Sequence, residues 1–338
     1  MVIDSSSVLG EKHNPIEYIL ESMRTIYSVK HKNGSIRRVN VNIAATTVEE
    51  YRMLKEAEIG TYILFQETYN KKSYERLHPT GPKSDYNWHT EAMDRAMEGG
   101  IDDVGLGVLF GLESYRYEFA GLIMHAEHLE AVHGVGPHTI SVPRVKPAMD
   151  IDPDSFDNGI PDEMFEKIIA LIRLTVPYTG MIISTRESQN VREKALQYGI
   201  SQISGGSRTS VGGYIEQVRP HDTEQFDVSD QRTLDEVISW LIDQKHVPSF
   251  CTACYRAGRT GDRFMSFCKS GQILNYCHPN ALITLAEYLI DYASPDTFQK
   301  GFALLEQELF KIKDEKRRHA CAEAIYAITH EGMRDQRF

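Results

Sequence analysis

Short apolar runs alternate with amphipathic stretches between residues 15 and 204. The runs are rich in Val, Ile and Leu and end at polar or glycine residues, which predicts buried β-strands. Between them, apolar positions recur three and four residues apart, which is typical of helices with one buried face. The predicted strands are residues 36–44, 61–68, 103–111, 138–143, 180–185 and 201–204, with a further candidate at 6–10. The predicted helices are residues 15–29, 48–57, 86–97, 115–132, 162–174 and 188–198.

Strands that alternate with helices imply βαβ units and a parallel sheet. Their even spacing favours a TIM-type barrel over a doubly wound sheet. Seven strands are one fewer than a closed barrel of this type contains, so one βα unit is missing. The sequence therefore predicts the α/β fold class, with an incomplete TIM-type (β/α) barrel.

The pattern changes after the last predicted strand. Residues 212–232 are polar and weakly patterned, as in a linker, and Thr233 then opens a capping-box sequence that starts a helix. Residues 280–330 carry two or three further amphipathic helices. We therefore expect a barrel domain at 1–211, a linker at 212–232 and a mostly helical C-terminal domain at 233–338.

Composition narrows the function classes. The 338-residue chain has a net charge of −11, with 41% hydrophobic and 25% charged residues. The negative charge argues against nucleic acid as a partner, because a polyphosphate binder presents a basic face. No apolar stretch approaches the length of a membrane span, and residues 1–7 do not resemble a secretory signal. We expect a cytoplasmic protein.

The cysteines are the strongest chemical signal. Cys251 and Cys254 form a C-x-x-C pair, and Cys277 follows after 22 residues. Three thiolates on a [4Fe–4S] cube would leave one iron open for another ligand. Cys268 or His278 could instead complete a zinc site, and the pair alone could be a redox motif. Cys268 and Cys321 alone would be ordinary buried thiols. Spacing leaves these alternatives open. The five cysteines are Cys251, Cys254, Cys268, Cys277 and Cys321.

Longer blocks carry a family resemblance. The sequence SFCTACYR at 249–256, followed by GRTGDRFM at 258–265 and CHPNAL at 277–282, resembles the C-terminal signature of the HydG family. Members of that family are radical-SAM maturases of [FeFe]-hydrogenase that cleave tyrosine. Further blocks resemble the family in the same order, at 36–47, 60–69, 102–112, 124–130, 134–144, 177–188 and 201–209.

The resemblance implies a metal site in the C-terminal domain. Cys251, Cys254 and Cys277 would hold an auxiliary [4Fe–4S] cluster whose open iron connects to a labile iron. The labile iron takes a histidine ligand in the family. We expect His138, at the entry of a predicted strand, with His125 as the alternative.

The resemblance also implies sites for S-adenosylmethionine (SAM) and tyrosine at the carboxyl ends of the barrel strands. Glu11 is the candidate partner of the SAM ammonium group, and Glu67 is the candidate for the ribose hydroxyls. Asn42 and Arg144 are further SAM candidates. The planar fork of an arginine suits a carboxylate, so we expect Arg186, together with Ser204, to bind the carboxylate of tyrosine. These last two residues end adjacent predicted strands.

One departure from the family changes the functional expectation. The family binds its first [4Fe–4S] cluster through a C-x3-C-x2-C motif, and this sequence has no cysteine before Cys251. That cluster therefore cannot be bound by this chain, and we expect the chain alone not to cleave SAM. A truncation would explain both the absent motif and the absent βα unit. The expected function is that of the family, a lyase that makes CO and cyanide from tyrosine alongside other hydrogenase maturation proteins. The alternative is a non-enzymatic iron–sulfur scaffold or carrier.

Overall fold

The computed structural model describes residues 2–4, 15–147, 152–208 and 228–338. The chain divides into two compact units. The first comprises residues 1–29 and 35–231, and the second comprises residues 30–34 and 232–338. Most of the predicted linker lies outside the described residues, so the predicted domain bounds stay a prediction.

A seven-stranded parallel sheet forms the centre of the first unit, with the strand order β1-β4-β5-β6-β7-β8-β9. It curls into a partial barrel, which confirms the predicted fold class. The other two strands of the described chain, β2 and β3, form a small hairpin. The strands are β1 (Val2–Asp4), β2 (Lys30–His31), β3 (Gly34–Ser35), β4 (Asn40–Asn42), β5 (Tyr62–Ile63), β6 (Val104–Gly107), β7 (Thr139–Ser141), β8 (Gly180–Ile183) and β9 (Gln202–Ile203).

Six sheet strands lie within the predicted runs, and each is shorter than its run. The first sheet strand is β1, before the candidate at residues 6–10, which lies outside the described residues. Strand β6 is buried at every position, which explains its unbroken apolar run: in a barrel, helices cover the outer face of the sheet and side chains fill the inner face.

Fourteen α-helices are described. In the first unit they are α1 (Ile16–Ser28), α2 (Val48–Glu56), α3 (Lys71–Leu77), α4 (Tyr86–Thr90), α5 (Ala92–Glu98), α6 (Tyr115–His133), α7 (Asp162–Thr175) and α8 (Gln189–Gln197). In the second unit they are α9 (Leu234–Asp243), α10 (Ala253–Arg256), α11 (Gly261–Lys269), α12 (Leu274–Asp291), α13 (Pro295–Leu309) and α14 (Glu315–His330). No described helix combines the length and apolarity that crossing a bilayer requires.

The second unit has its own core, built by α9, α12, α13 and α14 around buried residues such as Leu282 and Leu305. Thr233 forms the predicted capping box at the start of α9. Next to it, Asp235 accepts hydrogen bonds from Tyr288 Oη at 3.0 Å and Thr297 Oγ1 at 2.9 Å. This carboxylate therefore joins the beginning of α9 to both α12 and α13. The arrangement is mostly helical, as the sequence predicts.

Candidate functional site

Five predicted ligand residues follow the carboxyl ends of neighbouring parallel strands. Asn42 ends β4, Glu67 follows β5, Arg144 follows β7, Arg186 follows β8 and Ser204 follows β9. Because all these strands run in one direction, their carboxyl ends meet at one edge of the sheet. In a barrel of this type that edge is where ligands bind. The sheet therefore places the five residues along a single edge.

Asn42 keeps a polar atom open at this edge. The residue is only 9% exposed, and its Oδ1 is buried without a hydrogen-bond partner among the described residues. A buried acceptor of this kind costs free energy unless something donates to it. The position therefore suits a donor on a ligand, such as a hydroxyl or ammonium group. Glu11, the other candidate for an ammonium contact, lies outside the described residues.

Glu67 is held in an unusual backbone conformation with a φ of 63°. Non-glycine residues with such a φ are uncommon and often lie at functional sites. Its carboxylate contacts Lys83 Nζ at 2.7 Å. Burial alone would raise the pKa of Glu67, but the charge and hydrogen bond of Lys83 outweigh burial and lower the pKa. Glu67 is therefore an ionised acceptor at the ligand edge.

Arg144 is largely committed to protein partners. Its Nε donates to Glu187 at 2.9 Å, and its Nη2 contacts the other oxygen of the same carboxylate. Its Nη1 donates to the carbonyl of Ile160 and contacts Asp162, both at 2.9 Å. These contacts use four of the five N–H groups of the guanidinium. Arg144 thus joins loops at the ligand edge, and its predicted contact with SAM stays a prediction.

Arg186 and Ser204 lie on adjacent loops. Ile183 of β8 is paired with Ile203 of β9. Ser204 directly follows Ile203, and Arg186 lies three residues after Ile183 in the neighbouring loop. The amide of Ser204 donates to the carbonyl of Ile183 at 3.2 Å, which fixes the start of its loop. Both side chains are half-buried. This placement is consistent with a shared carboxylate ligand and does not test it.

The two candidate iron ligands lie in different surroundings. His138 directly precedes β7, and its Nδ1 lies 3.4 Å from Asp103 Oδ1. His125 lies on α6, with its Nδ1 3.0 Å from Tyr69 Oη and its Nε2 buried without a partner among the described residues. Burial lowers the pKa of both histidines, to about 4 for His125. Both imidazoles are therefore neutral at pH 7, which is the form that binds metal.

The cysteine segment folds into short helices. Cys251 precedes α10, Cys254 lies within it, and Cys277 lies in the first turn of α12. The Cys251 Sγ accepts a hydrogen bond from the amide of Ala253 at 3.4 Å. Cys268 lies in α11, and Cys321 is buried in α14.

The thiols of this segment interact electrostatically with one another. Burial, together with the charges of Cys254, Cys251 and Cys268, raises the pKa of Cys277 to about 12. Because Cys277 is exposed as a whole, the proximity of the other thiols is the more informative cause. Cys251, Cys254 and Cys268 thus lie within electrostatic range of Cys277, and the role of Cys251, Cys254 and Cys277 as cluster ligands stays a prediction.

Over the described ranges, no three His, Cys, Asp or Glu side chains are grouped closely enough to hold one metal ion. Zinc needs its ligands around a single point, whereas in an iron–sulfur cube each thiolate binds a different iron. The identity of a metal site at these cysteines therefore stays a prediction.

Solved structures identify the family. The crystal structure of HydG, a maturase of the [FeFe]-hydrogenase, matches this structure with a TM-score of 0.94 and 54% sequence identity. The match covers 98% of this chain and 71% of that one. The chain belongs to the HydG family. HydG from Carboxydothermus hydrogenoformans also matches, with a TM-score of 0.76 and 42% identity over 92% of this chain and 66% of that one.

Curated relatives point the same way. The 2-iminoacetate synthase of Escherichia coli K12 is 33% identical over 181 residues, covering 51% of this chain and 47% of the relative. The enzyme of the same name from Salmonella typhimurium LT2 is 29% identical, covering 55% of this chain and 51% of the relative. The chain thus spans about half the length of these relatives. The Biotin and Thiamin Synthesis associated domain matches residues 141–246.

These comparisons confirm the predicted HydG resemblance. Membership of this radical-SAM family implies [4Fe–4S] clusters and SAM as family cofactors. The roles of individual residues stay predictions, because the comparisons do not test them.

Sequence reasoning assigned no role to an arginine beside the cysteines. The amide of Arg259 donates to the carbonyl of Cys254 at 2.8 Å, and its guanidinium lies 4.7 Å from the ring centre of Tyr276, next to Cys277. Arg259 lies in one of the HydG-like blocks, which was the only available signal. Its burial could not be predicted from the sequence, because residues 255–261 show no periodic apolar pattern.

Proposed function

We propose that this chain forms the partial barrel and auxiliary-cluster domain of a radical-SAM tyrosine lyase that serves [FeFe]-hydrogenase maturation. What supports the proposal is the position of Cys251 and Cys254 at α10 and of Cys277 in the first turn of α12, in a chain that matches a HydG structure over 98% of its length. Three thiolates without a fourth partner leave one iron of a cube open. That open iron is what a labile fifth iron would need.

The predicted roles of the sheet-edge residues follow from their chemistry. When bound, SAM and its reduced cluster supply one-electron radical chemistry. The residues of this chain bind and orient the ligands: Asn42 and Glu67 offer acceptors to SAM, and Glu11 is proposed for its ammonium group. Arg186 and Ser204 bind the carboxylate of tyrosine. Fixing tyrosine by its carboxylate would hold its reacting carbon atoms in one place, which is how positioning accelerates a reaction.

The labile iron is assigned to His138, with His125 as the alternative. Asp103 supports the first choice, because metal-binding histidines usually direct their second nitrogen at a carboxylate. The open, buried Nε2 of His125 supports the second. Substituting each histidine by Ala and counting iron per chain would distinguish them: the ligand's loss should reduce five irons to four.

We further propose that a polypeptide of this sequence alone does not cleave SAM. Cysteine is absent before Cys251, so the sequence offers no C-x3-C-x2-C motif. Cysteine-based cluster chemistry suits a reducing cytoplasm, and hydrogenase maturation proteins are the proposed partners.

The test is a pair of anaerobic assays with SAM, dithionite and tyrosine. The reconstituted chain should release no deoxyadenosine. A hybrid, extended at its N-terminus with the preceding segment of a HydG relative, should release deoxyadenosine and p-cresol. In the hybrid, R186K should raise the KM for tyrosine, because lysine lacks the planar fork. Deoxyadenosine from the chain alone would contradict the proposed inactivity, and a hybrid with cluster but no p-cresol would favour the scaffold alternative.

A further inference from the structure

Arg259 is an almost fully buried cation beside the cysteine cluster. The residue is 9% exposed, and its Nε is buried with no hydrogen-bond partner in the described part of the chain. A buried guanidinium N–H without an acceptor is costly, and charged groups cost more than neutral ones. An acceptor that completes this site in the working protein would remove that cost.

The protein fixes the guanidinium firmly. Its Nη2 donates to the main-chain oxygen of Phe338 at 2.9 Å, and its planar face lies over Tyr276. The amide of Phe338 in turn donates to Asn280 Oδ1 at 2.8 Å, on α12. Arg259 is thus held between α10, which carries Cys254, and α12, which carries Cys277.

Residues 334–338 form the support for this arrangement. The carboxylate of Asp335 pairs with both terminal nitrogens of Arg256, which lies in the same short helix, α10, as Cys254. The amide of Asp335 donates to Glu287 Oε1 on α12 at 2.6 Å. Arg334 forms a two-point pair with Asp291, at 2.8 and 2.6 Å. Through Asp335, these contacts join Arg256 of α10 to α12. The segment that follows α10 and carries Arg259 is therefore held in place, and Arg259 cannot easily turn towards solvent.

The acceptor is best sought among sulfur atoms. The amide of Arg259 donates to the carbonyl of Cys254 at 2.8 Å, and its guanidinium lies 4.7 Å from the ring centre of Tyr276, the residue directly before Cys277. The loop already contains an N–H···S hydrogen bond, from Ala253 to Cys251. Hydrogen bonds to cluster sulfurs, together with net charge, set the reduction potentials of iron–sulfur clusters.

We propose that Arg259 donates its Nε–H to a sulfur of the iron–sulfur cluster that Cys251, Cys254 and Cys277 hold, and so raises the reduction potential of that cluster. The inference rests on the proposed function, since it requires the cluster. The direction follows from charge: reduction adds an electron, and a fixed positive charge stabilises the more negative reduced cluster. The residue would then act as an electrostatic regulator of the cofactor.

The experiment measures the reduction potential of the anaerobically reconstituted full chain by EPR-monitored titration. Because every cysteine lies after residue 250, the spectrum reports one cysteine region. R259M should shift the reduction equilibrium at least tenfold towards the oxidised cluster, which is about 59 mV downward for one electron. R259K keeps a charge without the Nε–H and should give a smaller shift. Both variants should lose an exchangeable deuterium coupling after transfer to D2O.

The matched control is R263M. Arg263 is exposed, lies four residues further along the same segment and should leave potential and deuterium coupling unchanged. If R259M loses the cluster, R259K decides, and a wild-type potential and coupling in R259K would overturn the inference. So would a loaded R259M with the wild-type potential, or an R263M shift of equal size. Wild-type protein without any iron would refute the proposed function itself, which is a distinguishable result.

Discussion

Arg144 and Glu187 form a two-point ion pair that joins the loop after β7 to the loop after β8. The Nε–Oε1 distance is 2.9 Å, and the second contact joins Nη2 to Oε2. Arg144 is 6% exposed and Glu187 is 2% exposed, so water screens the pair little. The pair lies at the edge of the sheet that carries the candidate SAM and tyrosine residues. Its chief effect is to hold that edge in shape.

We predict that E187Q is strongly destabilising. The substitution keeps the shape of the side chain but leaves the Arg144 charge buried with fewer partners, which typically costs about 3–5 kcal/mol. Asp162 still contacts Arg144, so we expect the lower end, about 3 kcal/mol. Urea unfolding would measure it. The control is E163Q. Glu163 pairs with Lys167 on α7, and both side chains are exposed. This variant should therefore unfold like wild type. An E187Q protein as stable as E163Q would contradict this account.

We predict that G121A destabilises the first unit. A Cβ at Gly121 would lie 2.5 Å from Cγ of Tyr69, at the root of the ring. Tyr69 cannot move away cheaply, because its amide donates to the buried Glu118 and its hydroxyl contacts His125. Overpacking of about 1–3 kcal/mol should exceed the gain of up to about 1 kcal/mol from alanine in a helix.

Thermal or urea unfolding should therefore show a net loss of about 1–2 kcal/mol for G121A. The control is G159A, since nothing in the described chain lies within 4 Å of a Cβ there. G159A should change the free energy of unfolding by less than about 0.5 kcal/mol. A G121A protein more stable than wild type would show that the Tyr69 ring moves aside readily.

We predict that the chain loses stability in mild acid through His89. The residue is 2% exposed, and its Nε2 donates to the carbonyl of Phe65 at 2.9 Å. Desolvation lowers its pKa from 6.5 to about 4. The unfolded chain therefore binds a proton near pH 6.5, while the folded chain does so only near pH 4. Between these values stability should fall with falling pH, by about 1.4 kcal/mol per unit at most.

Urea unfolding at pH 7, 6, 5 and 4.5 would measure this slope. The H89Q variant keeps an N–H for Phe65 and cannot protonate, so its stability should depend less on pH over this range. His125, whose pKa is also about 4, should maintain part of the slope. Parallel pH curves for H89Q and wild type would exclude His89 as a source of acid sensitivity.

The sequence predicts the sheet well because burial leaves a local pattern. Val104–Gly107 reads as one apolar run since both faces of its strand are covered. The run at 61–68 predicts a longer strand than β5, because the chain leaves regular geometry before Glu67 adopts its positive φ. A periodicity argument detects which residues are apolar, but not where a backbone departs from the strand.

The partners of charged residues are not predictable in this way. Glu187 meets Arg144 across 43 residues of sequence, and Arg259 meets Phe338 across 79. Each pairing depends on how separate loops pack in space, which leaves no periodic trace. A role for the cysteines can be predicted from the sequence, because C-x-x-C spacing has its own chemical meaning. The buried arginine beside them cannot.

The central claim is that three thiols hold an iron–sulfur cube with one open corner. Iron and sulfide analysis with EPR should be performed on the anaerobically reconstituted wild type and on C251A, C254A, C277A and C268A. We predict a [4Fe–4S] signal in wild type, its loss in the first three variants and its retention in C268A. Bound zinc without sulfide in wild type, or a C268A variant as depleted as C277A, would contradict the claim.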